Sequence, residues 1–230
     1  TIVGDVVVVQ AENQGNSFAT GIDIKTGEQL WEVKRQTNAN WSSPIAFEGP
    51  TGKPAVLLQS PIGLTAYDAA SGEILWEVEM SCGNIVSPTL AGDLVLVHSN
   101  GLTAIRIGKG VTEPEVAWTS NRLGMNGASP VVHDGKIYLL SGSIARCADL
   151  ATGELEWQVR LEGRFWASPI LAGGHLYFIN QEGDAQVVSV GTTGTLVAKS
   201  AFGEVVQGTP AVVGDAMFVC TDKRLWKITE

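Results

Sequence analysis

The chain has 230 residues, with 27 Gly, 9 Pro, 17% charged and 44% apolar side chains. Its apolar residues fall in short runs rich in Val, Leu, Ile and Ala, which excludes both disorder and a helical bundle. A formal charge of −9, from 24 acidic against 15 basic side chains, excludes a nucleic-acid partner, since binding to a phosphate backbone rests on Lys and Arg displacing counterions.

From the N-terminus, Thr1-Ile2-Val3-Gly4-Asp5 matches the later segment Thr89-Leu90-Ala91-Gly92-Asp93, so the chain is expected to start inside a first strand. A continuous apolar run at residues 6–9 follows. It reads as a second strand and is far shorter than the roughly 20 residues of a membrane-spanning helix. No transmembrane segment is expected in this chain. The first residues also lack the basic and apolar regions of an export signal, so the sequence is expected to be a mature or truncated product.

The third and fourth strands meet at a turn that recurs. Residues 21–31, 66–76 and 147–157 each open on a small residue (Gly21, Ala66, Cys147) and carry Asp at the third position (Asp23, Asp68, Asp149). Thr or Ser stands sixth, Gly seventh (Gly27, Gly72, Gly153) and Trp eleventh (Trp31, Trp76, Trp157). Asp can accept hydrogen bonds from turn amides while Gly takes a positive φ, so the pattern specifies a hairpin turn. Trp118 closes a further copy whose turn is lengthened by four residues within 107–114. In the remaining copy, placed at 188–198, Gly194 is kept, but Val190 and Ala198 stand where Asp and Trp are expected.

Five prolines preceded by a hydroxyl residue set the period: Pro44, Pro88, Pro130, Pro169 and Pro210, at spacings of 44, 42, 39 and 41. After each come two or three apolar residues, a turn and an alternating strand, as in Val131-Val132-His133-Asp134-Gly135-Lys136-Ile137-Tyr138. Four short antiparallel strands per repeat of this length specify an all-β fold, a β-propeller of four-stranded blades. The blades are expected at 1–43, 44–87, 88–129, 130–168 and 169–209, with a partial one at 210–230. An incomplete arc of about six blades is expected, forming a single domain whose open ends are covered by missing blades or another subunit.

The eleven-residue motif resembles the tryptophan-docking repeat of the PQQ-like, or quinoprotein-like, β-propeller family, which includes PQQ-dependent alcohol dehydrogenases and BamB-like envelope proteins. The resemblance covers essentially the whole chain. It implies that Trp31, Trp76, Trp118 and Trp157 dock on Gly-containing turns of adjacent blades. It also implies an eight-bladed ring of which this chain is the C-terminal part, and a periplasmic or outer-membrane-associated location.

The family's enzymes hold PQQ above calcium, often beside a disulfide between adjacent cysteines. Cys82, Cys147 and Cys220 are isolated here, and are read as small structural residues, with a disulfide or redox role as the alternatives. His98, His133 and His175 have no metal-ligand spacing, and no nucleophile elbow, phosphate loop or calcium loop occurs. The acidic residues fall mainly in turns. No catalytic residue, metal ligand or cofactor is therefore assigned.

The connections that lead into each new blade offer a better candidate. Asn40, Asn84 and Asn126 stand four residues before successive marker prolines, and Trp41, Trp166 and Gln207 stand three before theirs. With Arg122, Arg164 and Phe165, they are read as a polar and aromatic funnel mouth suited to protein, peptide or carbohydrate. The alternative is that each Asn simply starts a strand through a local bond.

The resemblance and these residues together imply a non-enzymatic, BamB-like binding scaffold of the cell envelope. The alternatives are a PQQ-dependent oxidoreductase whose catalytic residues lie outside the chain, and a carbohydrate-binding propeller.

Overall fold

The computed structural model of the chain describes residues 1–229, so Glu230, the last residue of the sixth repeat, lies outside the described residues. Two compact units are formed, Thr1–Asn121 and Arg122–Glu230.

The first unit holds three antiparallel sheets, each with its strands in sequence order. They are β1 (Ile2–Val3), β2 (Val6–Ala11), β3 (Phe18–Asp23) and β4 (Gln29–Lys34); β5 (Ile45–Glu48), β6 (Pro54–Ser60), β7 (Gly63–Asp68) and β8 (Ile74–Glu79); and β9 (Thr89–Ala91), β10 (Leu94–Val97), β11 (Leu102–Arg106) and β12 (Glu115–Ser120). The second unit holds β13 (Val131–His133), β14 (Lys136–Ser141), β15 (Ile144–Asp149) and β16 (Leu155–Arg160) in one sheet. Its next sheet is β17 (Ile170–Ala172), β18 (His175–Ile179), β19 (Asp184–Ser189) and β20 (Thr195–Ala201). The last described sheet has three strands, β21 (Ala211–Val213), β22 (Ala216–Cys220) and β23 (Leu225–Ile228).

Ile45, Thr89, Val131, Ile170 and Ala211, which open the later first strands, each follow a marker proline directly. Proline cannot donate to a ladder and is confined to such borders. The first hairpin of the fourth repeat turns through Asp134 (φ 47°) and Gly135 (φ 70°) between the paired His133 and Lys136, the positive-φ pair that matches the twist of the flanking strands.

The recurring turn works as its residues require. Oδ1 of Asp23 accepts from the amides of Lys25 and Thr26, both at 2.8 Å, and the Thr26 hydroxyl then accepts from the amide of Glu28 at 3.2 Å. Asp68 holds Ala70 and Ser71 in the same way, and Asp149 holds Ala151 and Thr152. In all five complete sheets the third and fourth strands slip by one residue beside the motif's first position, as between Gly21 and Ile22.

That slip corrects the reading of the fifth repeat. Ala198 pairs with Val187 as Trp31 pairs with Gly21, so the copy starts at Val187 and not at Val188. Its turn is one residue longer, and the position of Asp falls on Ser189, not Val190. The Ser189 hydroxyl takes over the turn, accepting from the Thr195 amide at 3.2 Å.

Within each unit the core lies between consecutive sheets. Val8, Ala19 and Trp31 of the first sheet pack with Val56, Leu58 and Tyr67 of the second, while Leu57, Leu64 and Trp76 of the second pack with Val95, Ile105 and Ile107 of the third. In the second unit Tyr138, Cys147 and Trp157 pack with Leu176, Phe178 and Val188, and Ile179 packs with Val206 and Val219. β6 lies between the first and third sheets and β10 is buried along its whole length, so successive residues of these strands are apolar. This is why β6 and β10 read as continuous runs with no clean alternation.

Candidate functional site

Trp31, Trp76 and Trp157 form joints between consecutive sheets within a unit. Trp31 lies across the sheet from Gly21, where an added Cβ would collide with the indole, and its Nε1 donates to the carbonyl of Ala69 in the next repeat at 2.9 Å. Trp157 repeats the joint in the second unit, donating to Gly191 at 2.8 Å and covering Gly194. Trp76 is equally buried, yet its Nε1 has no hydrogen-bond partner. Trp118 stands in β12 opposite Ala104. Gly27 and Gly153 both hold positive φ, 75° and 70°.

The connections into new sheets carry the predicted binding residues. In the first unit two successive connections are tied together. The amide of Trp41 donates to the carbonyl of Asn84 at 2.7 Å, Nδ2 of Asn84 donates to the carbonyl of Ala39 at 3.2 Å, and the amide of Ser43 donates to Ser87 Oγ at 2.9 Å. This lattice holds the Trp41 side chain outward, 66% exposed. Asn40 turns inward: its Nδ2 donates to Glu12 Oε2 at 2.9 Å and to the carbonyl of Gln59 at 2.6 Å, while its Oδ1 accepts from the Ser42 hydroxyl at 3.0 Å.

In the second unit Asn126 Oδ1 accepts from the amide of Gly142 at 3.2 Å, and the amide of Ser168 donates to Thr209 Oγ1 at 3.0 Å. The side chain of Arg122 is exposed, and its carbonyl accepts from Nη1 of Arg146. Arg164, Trp166 and Gln207 are exposed, with Trp166 half out. Phe165 instead turns inward, edge-on to Phe178 with ring centres 6.5 Å apart. The six outward or semi-outward groups are thus divided between the units, Trp41 in the first and Arg122, Asn126, Arg164, Trp166 and Gln207 in the second.

Sequence reasoning missed a buried polar chain behind Asn40. Glu12 Oε1 accepts from Nε of Arg35 at 2.8 Å, with both side chains almost wholly buried, and Nη1 of Arg35 donates to the hydroxyls of Tyr67 at 2.8 Å and Thr65 at 3.2 Å. The signal was present in the repeat itself. Four residues after the motif's last position stand Met80, Leu161 and Phe202 in three copies, all packed on core clusters, an exposed Arg122 in the third repeat, and the buried Arg35 in the first.

Cys82, Cys147 and Cys220 are free thiols. Burial pushes the Cys82 thiol up to about 12, and burial with the nearby Glu156 carboxylate does the same for Cys147. Burial also lowers the pKa of His98, whose ring lies directly under Gly83. Calcium requires six to eight oxygen ligands. Among the described residues no three His, Cys, Asp or Glu side chains are grouped to hold a metal ion.

Four-stranded repeats joined by docked tryptophans define a quinoprotein-like β-propeller. The family model described as outer membrane protein assembly factor BamB matches residues 1–84, 20–145, 115–190 and 141–230. The chain belongs to that family. A curated relative, outer membrane protein assembly factor BamB of Moranella endobia (strain PCIT), is 25% identical over 198 residues, covering 79% of this chain and 48% of its own length. The chain therefore spans about half the length of that relative. The crystal structure of BamB from Moraxella catarrhalis superposes with a TM-score of 0.75 at 14% identity, covering 98% of this chain and 70% of that one, a likeness of fold. No helix among the described residues is long and apolar enough to cross a membrane.

Proposed function

We propose that the chain is part of a non-enzymatic scaffold of the cell envelope, periplasmic or associated with the outer membrane, that holds a protein partner during outer-membrane protein assembly. The observation that carries this reading is Trp41, an indole 66% exposed on a backbone lattice that joins two repeats. A large side chain held outward by fixed hydrogen bonds meets a partner with little loss of conformational freedom, and Trp is enriched among the residues that dominate protein interfaces. Membership of the assembly-factor family supports the same class of function. The second unit carries a comparable surface in Trp166, Arg164 and Gln207. Neighbouring blades or another subunit would complete the ring.

The experiment is affinity capture from a cell-envelope extract of the source organism, with the chain immobilised and bound proteins quantified. One specific partner is expected, recovered at least about tenfold less by Trp41→Ala, the loss of a central aromatic contact. Recovery unchanged by both Trp41→Ala and Trp166→Ala would overturn the assignment of this surface. Dye-linked alcohol oxidation after addition of PQQ and calcium would overturn the non-enzymatic reading.

A further inference from the structure

Seven arginines stand in the chain, among 24 acidic and 15 basic side chains. Arg35, Arg106 and Arg224 each pair with a carboxylate, that of Glu12, Asp93 and Glu204 respectively. Arg122, Arg146, Arg160 and Arg164, all in the second unit, form no ion pair among the described residues. Acids are plentiful, yet none is placed against these four.

Two of them share one face of the fourth sheet. Arg146 in β15 lies opposite Gln158 in β16, and Arg160 follows Gln158 by two residues, the side-chain period of a strand. Arg146 and Arg160 are therefore diagonal neighbours, about 7–8 Å apart across the ladder. Nη1 of Arg146 donates to the carbonyl of Arg122, which fastens the guanidinium, while its Nε is enclosed with no hydrogen-bond partner. This partly buried cation has no counter-charge in the chain, and Arg122, Gln158 and Arg160 are exposed. The next acid along the chain, Glu162, is held by Lys199 at 2.6 Å. The blade itself does not call for these charges. Thr20, Thr65, Thr103 and Gln186 take the place of Arg146 in the other four complete sheets, and Glu79 takes that of Arg160 in the second.

We propose that Arg146 and Arg160, with Arg122 beside them, form a binding surface for an extended acidic segment of a protein partner. Alternate residues of an extended chain lie about 6–7 Å apart, which matches the diagonal spacing of the two arginines, and each guanidinium can hold a carboxylate through paired hydrogen bonds. Exposed charges farther off than about 10 Å are largely screened at 0.1 M salt, so the local arginines decide the attraction and not the net charge of −9. The surface does not rest on the exposed indoles Trp41 and Trp166.

The test is a titration of the isotopically labelled 230-residue chain with N-acetyl-Asp-Ala-Asp-Ala amide, with its Lys-Ala-Lys-Ala counterpart, and separately with sodium sulfate and with phosphatidylglycerol vesicles. Saturable shifts are expected at Nε–H of Arg160 and at the amides of Ile144 and Gln158 with the acidic peptide, fading as salt is raised, and none with the basic one. Arg160→Glu, an exposed change that copies Glu79 of the second sheet, should weaken the acidic peptide by about tenfold or more. Arg146→Thr, which copies Thr65, should weaken it too, while Trp41→Ala leaves it unchanged. Absence of saturable shifts with the acidic peptide, tighter binding of sulfate or of the vesicles, or undiminished peptide binding by folded Arg160→Glu would each overturn the proposal.

Discussion

The indole of Trp31 spans two repeats: its Nε1 donates to the carbonyl of Ala69 at 2.9 Å, and its ring covers Gly72 so closely that an added Cβ would lie 2.6 Å from Cδ2. Glycine at position 72 therefore answers two demands, a positive φ of 72° and an absent side chain. Gly27 holds the same turn at φ 75° with nothing within 4 Å of an added Cβ. Gly27→Ala is expected to lose the backbone term alone, about 1–2 kcal/mol. Gly72→Ala adds the cost of overpacking, about 1–3 kcal/mol. Urea unfolding of the two variants measures the difference, and equal losses would show that the docked indole does not constrain residue 72.

Trp31 and Trp76 differ in one respect that mutation isolates. Both are buried, but only Trp31 has an acceptor for its N–H. Trp31→Phe leaves the Ala69 carbonyl unpaired, whereas Trp76→Phe deletes a donor that already lacks a partner. Trp31→Phe is therefore expected to destabilise the chain by about 1–3 kcal/mol more than Trp76→Phe. The order of the two urea midpoints decides the matter.

The repeat was legible because its turn chemistry is local: Asp, Thr or Ser, and Gly act on amides two or three residues away, as Asp23 does on Lys25 and Thr26. The lengthened third turn was legible for the same reason. The fifth copy was misplaced by one residue because, without Asp and Trp, Gly194 alone sets no register. There only the pairing of Val187 with Ala198 does so. Candidate site residues divided along a similar line. Trp41 and Trp166 stand exposed, but the inward turn of Phe165 depends on Phe178 in a neighbouring strand. The Glu12–Arg35 pair joins residues 23 apart in sequence, and no motif links them; comparison of Arg35 with Met80 in the next copy would have exposed it.

Thiol chemistry distinguishes the three cysteines. Cys82 and Cys147 are buried with thiols pushed up to about 12, while Cys220 is exposed. The thiolate is the reactive form, so at neutral pH both burial and protonation protect the first two. An aromatic disulfide reagent should modify Cys220 alone in the native chain and all three cysteines in denaturant. Rapid modification of Cys147 in the folded chain would contradict the packing of its sheet against Leu176 and Phe178.

The last described sheet carries its own acid sensitivity. Glu204 accepts from the Thr221 hydroxyl at 2.6 Å and from Trp226 Nε1 at 3.4 Å, and it pairs with Arg224. The Thr221 hydroxyl, then Trp226 and Arg224, outweigh the opposing effect of burial and hold the carboxyl below its ordinary value of 4.5. A carboxyl lowered in the folded state binds its proton more readily when unfolded, so it adds stability above that ordinary value. The contribution is lost as pH falls through the lowered one. Amide exchange at Val206 and Thr221, corrected for its intrinsic pH dependence, should therefore report progressively easier opening of this sheet on acidification below about pH 4.5. Glu204→Gln should open more readily at neutral pH and lose most of that acid-dependent increase, because no charge remains to be neutralised. Thr221→Val should bring the onset closer to the ordinary carboxylate range by removing the strongest donor. An unchanged acid profile in Glu204→Gln would assign the sensitivity to other carboxylates.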